Sequence, residues 1–168
     1  MSNKLYIAFN GASPTTAAQV KMAVGTSIHT ILQVATPSTC PIIVVEWGIS
    51  FDGAPGTAVP VNCELIDTDV AATAGTSLTP TKYSSPASTP ASLCVGGTGA
   101  TMFSDGAVTE GTITASRVLD AQLIAPTNQY VKQFPLGREP SIDISRFLRV
   151  RVTAPAAVNA LAYIIWEE

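Results

Sequence analysis

The sequence predicts an all-β chain folded as an antiparallel β-sandwich. Three observations lead to this prediction: apolar residues alternate with a period of two in several short segments, no segment of useful length has an amphipathic helical pattern, and turn-rich connections separate the alternating segments. The segments amount to about eight strands, for which a jelly roll is the favoured arrangement. An up-and-down barrel and an immunoglobulin-like sandwich stay open, because alternation does not reveal strand order.

The clearest strand is IIVVEWGISF at residues 42–51, which is closed by the turn pair Asp52-Gly53. Strict alternation gives this strand one face of large apolar side chains, and we expect that face to lie in the core. The predicted inner face holds Ile43, Val45, Trp47, Ile49 and Phe51.

Further strands are predicted on both sides of this one. In residues 147–152 the pattern turns Leu148, Val150 and Val152 inward and Phe147, Arg149 and Arg151 outward. The last predicted strand, 159–166, is apolar on both faces, which suggests a sandwich interior on one side and a contact with another subunit on the other. The remaining predicted strands are 5–9, 28–34, 59–66, 118–124 and 130–134.

At 168 residues the chain is long enough for one domain with a substantial core. We expect residues 1–27 to form an N-terminal arm or first strand region, and residues 28–168 to form a single β-sandwich. Within the sandwich, residues 68–99 are dominated by Ser, Thr, Ala, Gly and Pro with almost no charge. This composition predicts a long loop that is either disordered or ordered by binding.

Charged residues make up only 12% of the chain, about half the usual share. A surface built from small polar and apolar residues suits a chain that packs against copies of itself or a partner, although a weakly charged monomer is an alternative. The net charge of −3 gives no electrostatic reason to bind nucleic acid. The apolar runs are far shorter than the roughly 20 residues that cross a bilayer.

The N-terminal sequence MSNKLYIAF lacks the features of a signal peptide, so we expect synthesis in a cytoplasm. The three cysteines, Cys40, Cys63 and Cys94, are an odd number without CxxC spacing. They are expected to be reduced and mostly buried.

The sequence predicts no catalytic, cofactor-binding or metal-binding residue. The single histidine, His29, cannot build a histidine-rich metal site alone, and no serine lies in a GxSxG motif. We expect His29 to be a surface or half-buried structural residue. Asp67 and Asp69 could bind Ca²⁺ together with loop carbonyls, but two acids without further ligands are more typical of a solvated turn.

Two other patterns point away from catalysis. The segment GGTG at 96–99 has the glycine content of a phosphate loop but lacks its lysine and its following helix. Glu46 and Glu110 have no evident carboxylate partner, which argues against glycoside hydrolysis by paired acids.

Basic residues are concentrated in one segment: five of the nine lie between positions 132 and 151. Arg149 and Arg151 are expected to point the same way from one strand, where they could bind an acidic partner surface. The alternative is cross-strand pairing with Glu46, Glu64 or Glu139. The residues predicted at a possible interface are Arg138, Phe147, Arg149, Arg151 and Trp166.

The order of sequence pieces in residues 40–168 resembles that of jelly-roll capsid decoration, or cement, proteins of tailed bacteriophages. The pieces are EWGISFDG, CELID, a Ser/Thr/Pro-rich segment, PLGREP, FLRVRVTAP and a closing IIWEE. The resemblance implies a non-enzymatic virion protein, made in the host cytoplasm, that binds the major capsid protein on the outer capsid surface and associates as a trimer. It also implies that an N-terminal arm can grip the shell.

A carbohydrate-binding or receptor-binding β-sandwich of a tail fibre is the alternative function. Such a module needs an exposed aromatic platform, for which Trp166, Phe147 and Tyr83 are the candidates.

Overall fold

The computed structural model describes residues 4–11, 15–53, 59–73, 76–83, 90–96 and 109–168, with the backbone alone at 76, 77 and 93–96. These residues form thirteen β-strands and no helix. The strands are β1 (Leu5–Phe9), β2 (Met22–Val24), β3 (His29–Ala35), β4 (Ile42–Phe51), β5 (Val61–Thr68), β6 (Thr76–Leu78), β7 (Thr81–Lys82), β8 (Leu93–Gly96), β9 (Ser116–Ile124), β10 (Gln129–Gln133), β11 (Ser141–Ile142), β12 (Phe147–Thr153) and β13 (Val158–Glu167).

The strands form two antiparallel sheets that pack face to face, which confirms the predicted β-sandwich. Sheet A has the order β10-β4-β13-β1-β7, with β11 beside β4 and β2 beside β13; sheet B has the order β6-β8-β3-β12-β5-β9. Strands from opposite ends of the chain are neighbours, since β1 pairs with β13 and β3 with β12. This nested order is incompatible with an up-and-down barrel and favours the jelly-roll prediction.

The core lies between the inner faces of the two sheets. Its largest fully buried side chains include Trp47 and Trp166 from sheet A and Leu65 from sheet B. On β12 the prediction from alternation is confirmed, because Leu148 and Val150 are fully buried on the inner face, as is Val152 next along the strand.

The prediction of one unbroken inner face on β4 is wrong in the first half of the strand. Trp47 and Ile49 are buried as expected, but Ile42 and Val44 are also fully buried, whereas Ile43 is 39% exposed. The inward positions are therefore even-numbered before the middle of β4 and odd-numbered after it.

A β-bulge at Val45 causes this change of phase. On the neighbouring strand β13, Ile165 pairs with Glu46 and Trp166 pairs with Val44, so that Val45 has no opposite residue. One inserted residue exchanges the two faces of everything beyond it.

Two strands of the N-terminal segment belong to sheet A, so the sandwich begins before residue 28, where the predicted domain starts. Strand β1 lies inside sheet A between β13 and β7, and β2 pairs with the start of β13. The side chain of Asn10, just after β1, is fully buried and bonds both ways with β13: its amide donates to the carbonyl of Ala160 and its oxygen accepts from the N–H of Ala162.

The predicted long loop at 68–99 is wrong for the part of it that the structure describes. Strands β6 and β8 extend sheet B, and β7 forms the edge of sheet A. The carboxylate of Glu168 accepts hydrogen bonds from the N–H groups of Ala91 and Ser92, which fixes the start of β8. The rest of the segment, at 74–75, 84–89 and 97–99, lies outside the described residues, as does most of the glycine-rich GGTG motif.

Candidate interaction surfaces

The outer side of sheet A, here called face A, consists mainly of apolar residues from four strands. The register of β10, β4, β13 and β1 places Val131, Gly48, Tyr163 and Phe9 in one row across the sheet. Glu46, Ile165 and Ile7 form the next row. The apolar and aromatic residues of face A are Leu5, Ile7, Phe9, Ile43, Val131, Leu161, Tyr163 and Ile165.

Tyr163 is the central side chain of face A, and its ring lies over Gly48. A Cβ atom at position 48 would come within 2.4 Å of the Tyr163 Cε1 atom, so the ring needs a glycine beneath it. The Tyr163 hydroxyl donates to the carboxylate of Glu46, and the Phe9 ring lies 5.9 Å away, centroid to centroid. Burial, and then the bond to Glu46, raises the pKa of Tyr163 above its usual range.

The apolar side chains of face A are not fully covered by the described part of the chain. Val131 is 53% exposed and Ile43 is 39% exposed, while Phe9 and Tyr163 are half-buried. Beside the face, Tyr83 is 61% exposed. A solvated sheet face is usually polar, so this composition is typical of a surface that another protein surface covers.

The outer side of sheet B, here called face B, is charged instead. Arg149 of β12 projects there, but its side chain is fully buried. Its guanidinium pairs with the carboxylate of Glu110, bonds the Thr30 hydroxyl at 2.9 and 3.0 Å, and donates to the carbonyl of Val70 at 3.0 Å. Burial lowers the pKa of Arg149, partly offset by Glu110. The predicted interface role of Arg149 is therefore wrong, because chain segments around residues 70 and 110 cover it.

Arg151 follows Arg149 on the same side of β12, as predicted. Its guanidinium lies 2.6 Å from the carboxylate of Glu64 on β5, and both side chains are largely buried. The cross-strand pairing considered for this arginine is confirmed with Glu64. Face B thus uses its charges in internal ion pairs.

Asp67 is not a solvated turn residue, and it is not arranged as a calcium ligand. Its carboxylate is fully buried, with Arg146 Nε 2.6 Å from one oxygen and Arg117 Nε 2.6 Å from the other. The neighbouring Asp69 accepts from the hydroxyl and N–H of Thr114, and the hydroxyl bond is the main cause of its lowered pKa. In the described part of the chain, no three His, Cys, Asp or Glu residues are grouped to hold a metal ion.

The predicted role of Trp166 at an interface or in an aromatic platform is also wrong, because this residue lies on the inner face of β13. It is fully buried, with its ring 5.9 Å from that of Tyr6. His29 is buried rather than on the surface. Phe147 is half-buried and Arg138 is exposed in the turn after β10, so their role at an interface stays a prediction.

The edge strands β9 and β10 are linked by Asp120, a residue that the sequence did not single out. Its Oδ2 atom accepts from Trp47 Nε1 at 3.1 Å and from the Tyr130 hydroxyl at 2.9 Å. Trp47 belongs to sheet A and Asp120 to sheet B, so the contact ties the two sheets together. On the outside of β9, Val118 and Leu123 are exposed.

Comparison with known proteins finds no matching family model, no similar curated protein and no similar solved structure. Within the described ranges, no helix is long and apolar enough to cross a membrane.

Proposed function

We propose that this chain is a non-enzymatic structural protein of a bacteriophage virion, bound to the outer surface of the capsid. Its partners are the major capsid protein and other copies of itself, with a trimer favoured by the resemblance to decoration proteins. The observation that supports this proposal most is the apolar face A, since a half-open face of aliphatic and aromatic side chains is suited to contact with protein.

The use of the charged side chains supports the same proposal. Arg149, Asp67 and Arg151 form ion pairs within the sandwich, and the Glu46 carboxylate accepts a hydrogen bond from the Tyr163 hydroxyl. These groups contribute to the stability of the fold. Charged groups that are paired within the fold are not arranged for catalysis, which fits a protein that acts by contact with other protein surfaces.

Capsid binding can be tested by adding the purified chain to capsids of the encoding phage that lack it. We expect saturable binding with a fixed number of copies per particle, together with capsids that withstand higher temperature. Absence of binding to these capsids at micromolar concentrations would overturn the proposal.

A carbohydrate-binding module of a tail fibre is the second candidate, and Tyr83 is the observation that favours it. This ring is 61% exposed at the edge of sheet A, where the Tyr83 N–H donates to the carbonyl of Leu5, so it could stack on a sugar. In this case Tyr83→Ala should abolish binding to bacterial surface glycans, whereas capsid occupancy should not depend on glycans at all.

A further inference from the structure

We infer that face A is the contact surface between copies of this chain, so that a second copy covers it. This inference deepens the proposed function, since it rests on the self-association proposed there and assigns a surface to it. Contact between the same face on two copies joins them as a dimer, in place of the trimer that the resemblance favours. Four observations bear on it: the electrostatics of face A, the area of the face, the contrast with face B and the exposure of residues at its margins.

The electrostatics of face A favour another copy of the same face or an equally neutral surface. Among the described strand residues pointing outward from β1, β4, β10 and β13, the charged ones are Glu46 and Glu167. The Glu46 carboxylate already accepts the Tyr163 hydroxyl, and Glu167 lies at the end of β13. Two copies would therefore bring together few like charges, and the face has no strong charge with which to select a charged partner.

The area of face A is sufficient for a specific contact. Five strands spaced by about 4.8 Å, with central strands of five to ten residues, give a face on the order of 500 Å². Covering that face on two copies buries on the order of 1,000 Å², which reaches the lower limit for a specific interface. Contacts from neighbouring loops would add to this area.

The contrast between the two outer faces shows which one is left for a partner. The middle strands of face B are occupied by ion pairs such as Arg151 with Glu64, and at Arg149 the face is covered by the chain itself. Its exposed apolar residues in the described strands, Val118 and Leu123, lie on the edge strand β9 alone. Face A has apolar side chains whose exposed area decreases from its margins toward its centre, from Val131 and Ile43 to Ile165, which is 8% exposed. Burying the exposed part removes apolar surface from water, at roughly 25 cal/mol for each Å².

The test uses two pairs of substitutions in the full chain. Ile43→Lys with Val131→Lys places two charges on face A at positions exposed enough to accept them. Val118→Lys with Leu123→Lys places the same two charges on the exposed outer side of β9 and is the matched control. Circular dichroism should show native β-structure in both variants, so that loss of folding is distinguished from loss of association.

The mass in solution, measured at tens of micromolar, gives the result. We expect the wild type and the β9 control to have about twice the mass of the 17.4 kDa chain, because two copies that cover the same face on each other close as a dimer, and the face A variant to have the mass of one chain. A folded face A variant with the wild-type mass would overturn the inference, as would a wild type that is monomeric at this concentration.

Capsid occupancy measured on the same samples separates this inference from the proposed function. A monomeric wild type that fills its capsid sites would refute self-association through face A and leave the capsid role standing. A wild type that associates but does not bind capsids would refute the capsid role, while the mass of the face A variant would still decide the inference.

Discussion

Arg149 is a buried cation in a sheet where no solvent reaches the guanidinium. Its desolvation is offset by the ion pair with Glu110, two bonds to the Thr30 hydroxyl and bonds to main-chain carbonyls. Alternation predicts only the direction in which this side chain leaves β12. Whether other segments cover it depends on long-range folding, which is why its exposure could not be predicted from the sequence.

Arg149→Met should lower the free energy of unfolding by about 3–5 kcal/mol, because it leaves the Glu110 carboxylate partly buried without its cation. Adding Glu110→Gln should recover part of the loss. Arg151→Met is the control: its side chain and that of Glu64 are each about one-fifth exposed, so water can compensate more. Denaturant unfolding of the three variants tests this, and equal losses for the two arginines would contradict it.

Cys63 is expected to make the free energy of unfolding depend on pH in the alkaline range. Burial raises the pKa of its thiol to about 12, from an ordinary value of 9.0, so the unfolded chain loses this proton at lower pH than the folded chain. The stability linked to Cys63 is therefore complete below about pH 9 and decreases as pH rises from there toward 12. Cys63→Ala should flatten the decrease in melting temperature between pH 8.5 and 10.5, and an unchanged slope would refute this assignment.

The strands differ in how well their patterns predict them. Strand β12 pairs with β5 in a regular register, so alternation predicted its inner residues correctly. The bulge at Val45 in β4 could not be recognised from the sequence, because it lies in a run of apolar residues. The sequence pattern indicated face A, since both sides of the last strand are apolar. It did not indicate strands β7 and β8, because their pairing with β1 and β3 depends on partners far along the chain.

Asp120 connects the two sheets at the edge formed by β9 and β10. Asp120→Ala leaves Trp47 Nε1 and the Tyr130 hydroxyl without their acceptor, so unfolding should become easier by about 1–3 kcal/mol. Burial, and then Asp120, raises the pKa of Tyr130 to about 12, and the variant should lower it. Tyrosine ionisation followed by ultraviolet absorbance measures this.

The matched control for Asp120 is Asp143→Ala, at an exposed position in the turn before β12. It should leave both the tyrosine titration and the stability nearly unchanged. If the Asp120 variant titrated like the control, the contact between the sheets would not be holding the proton on Tyr130.

The whole molecule is organised by pairing between distant parts of the chain. Strand β13 lies between β4 and β1 and also pairs with β2, so sheet A cannot be completed until the last residues are present. All-β proteins with such non-local pairing fold slowly, typically in milliseconds to seconds. The sequence indicated the two-sheet class through its periodicity, but the nested strand order is a property of the complete fold.

The same nesting brings the two ends of the described chain together, which predicts that the protein tolerates circular permutation. The N–H of Glu168 donates to the carbonyl of Lys4 at 3.2 Å, and Leu5 pairs with Glu167. A short Gly/Ser linker can therefore join the ends without strain. Opening the chain between Leu136, which is 97% exposed, and Gly137 breaks no strand.

This permutant should keep native circular dichroism and melt within a few degrees of the parent. A second permutant, joined by the same linker but opened between Ala162 and Tyr163, is the control, because it divides β13 in the middle of sheet A and should not fold. Thermal melts of both proteins decide the matter. If both permutants folded equally well, β13 would not need to be continuous. If neither folded, joining the ends or opening the chain at 136–137 would introduce strain, and the prediction would be wrong.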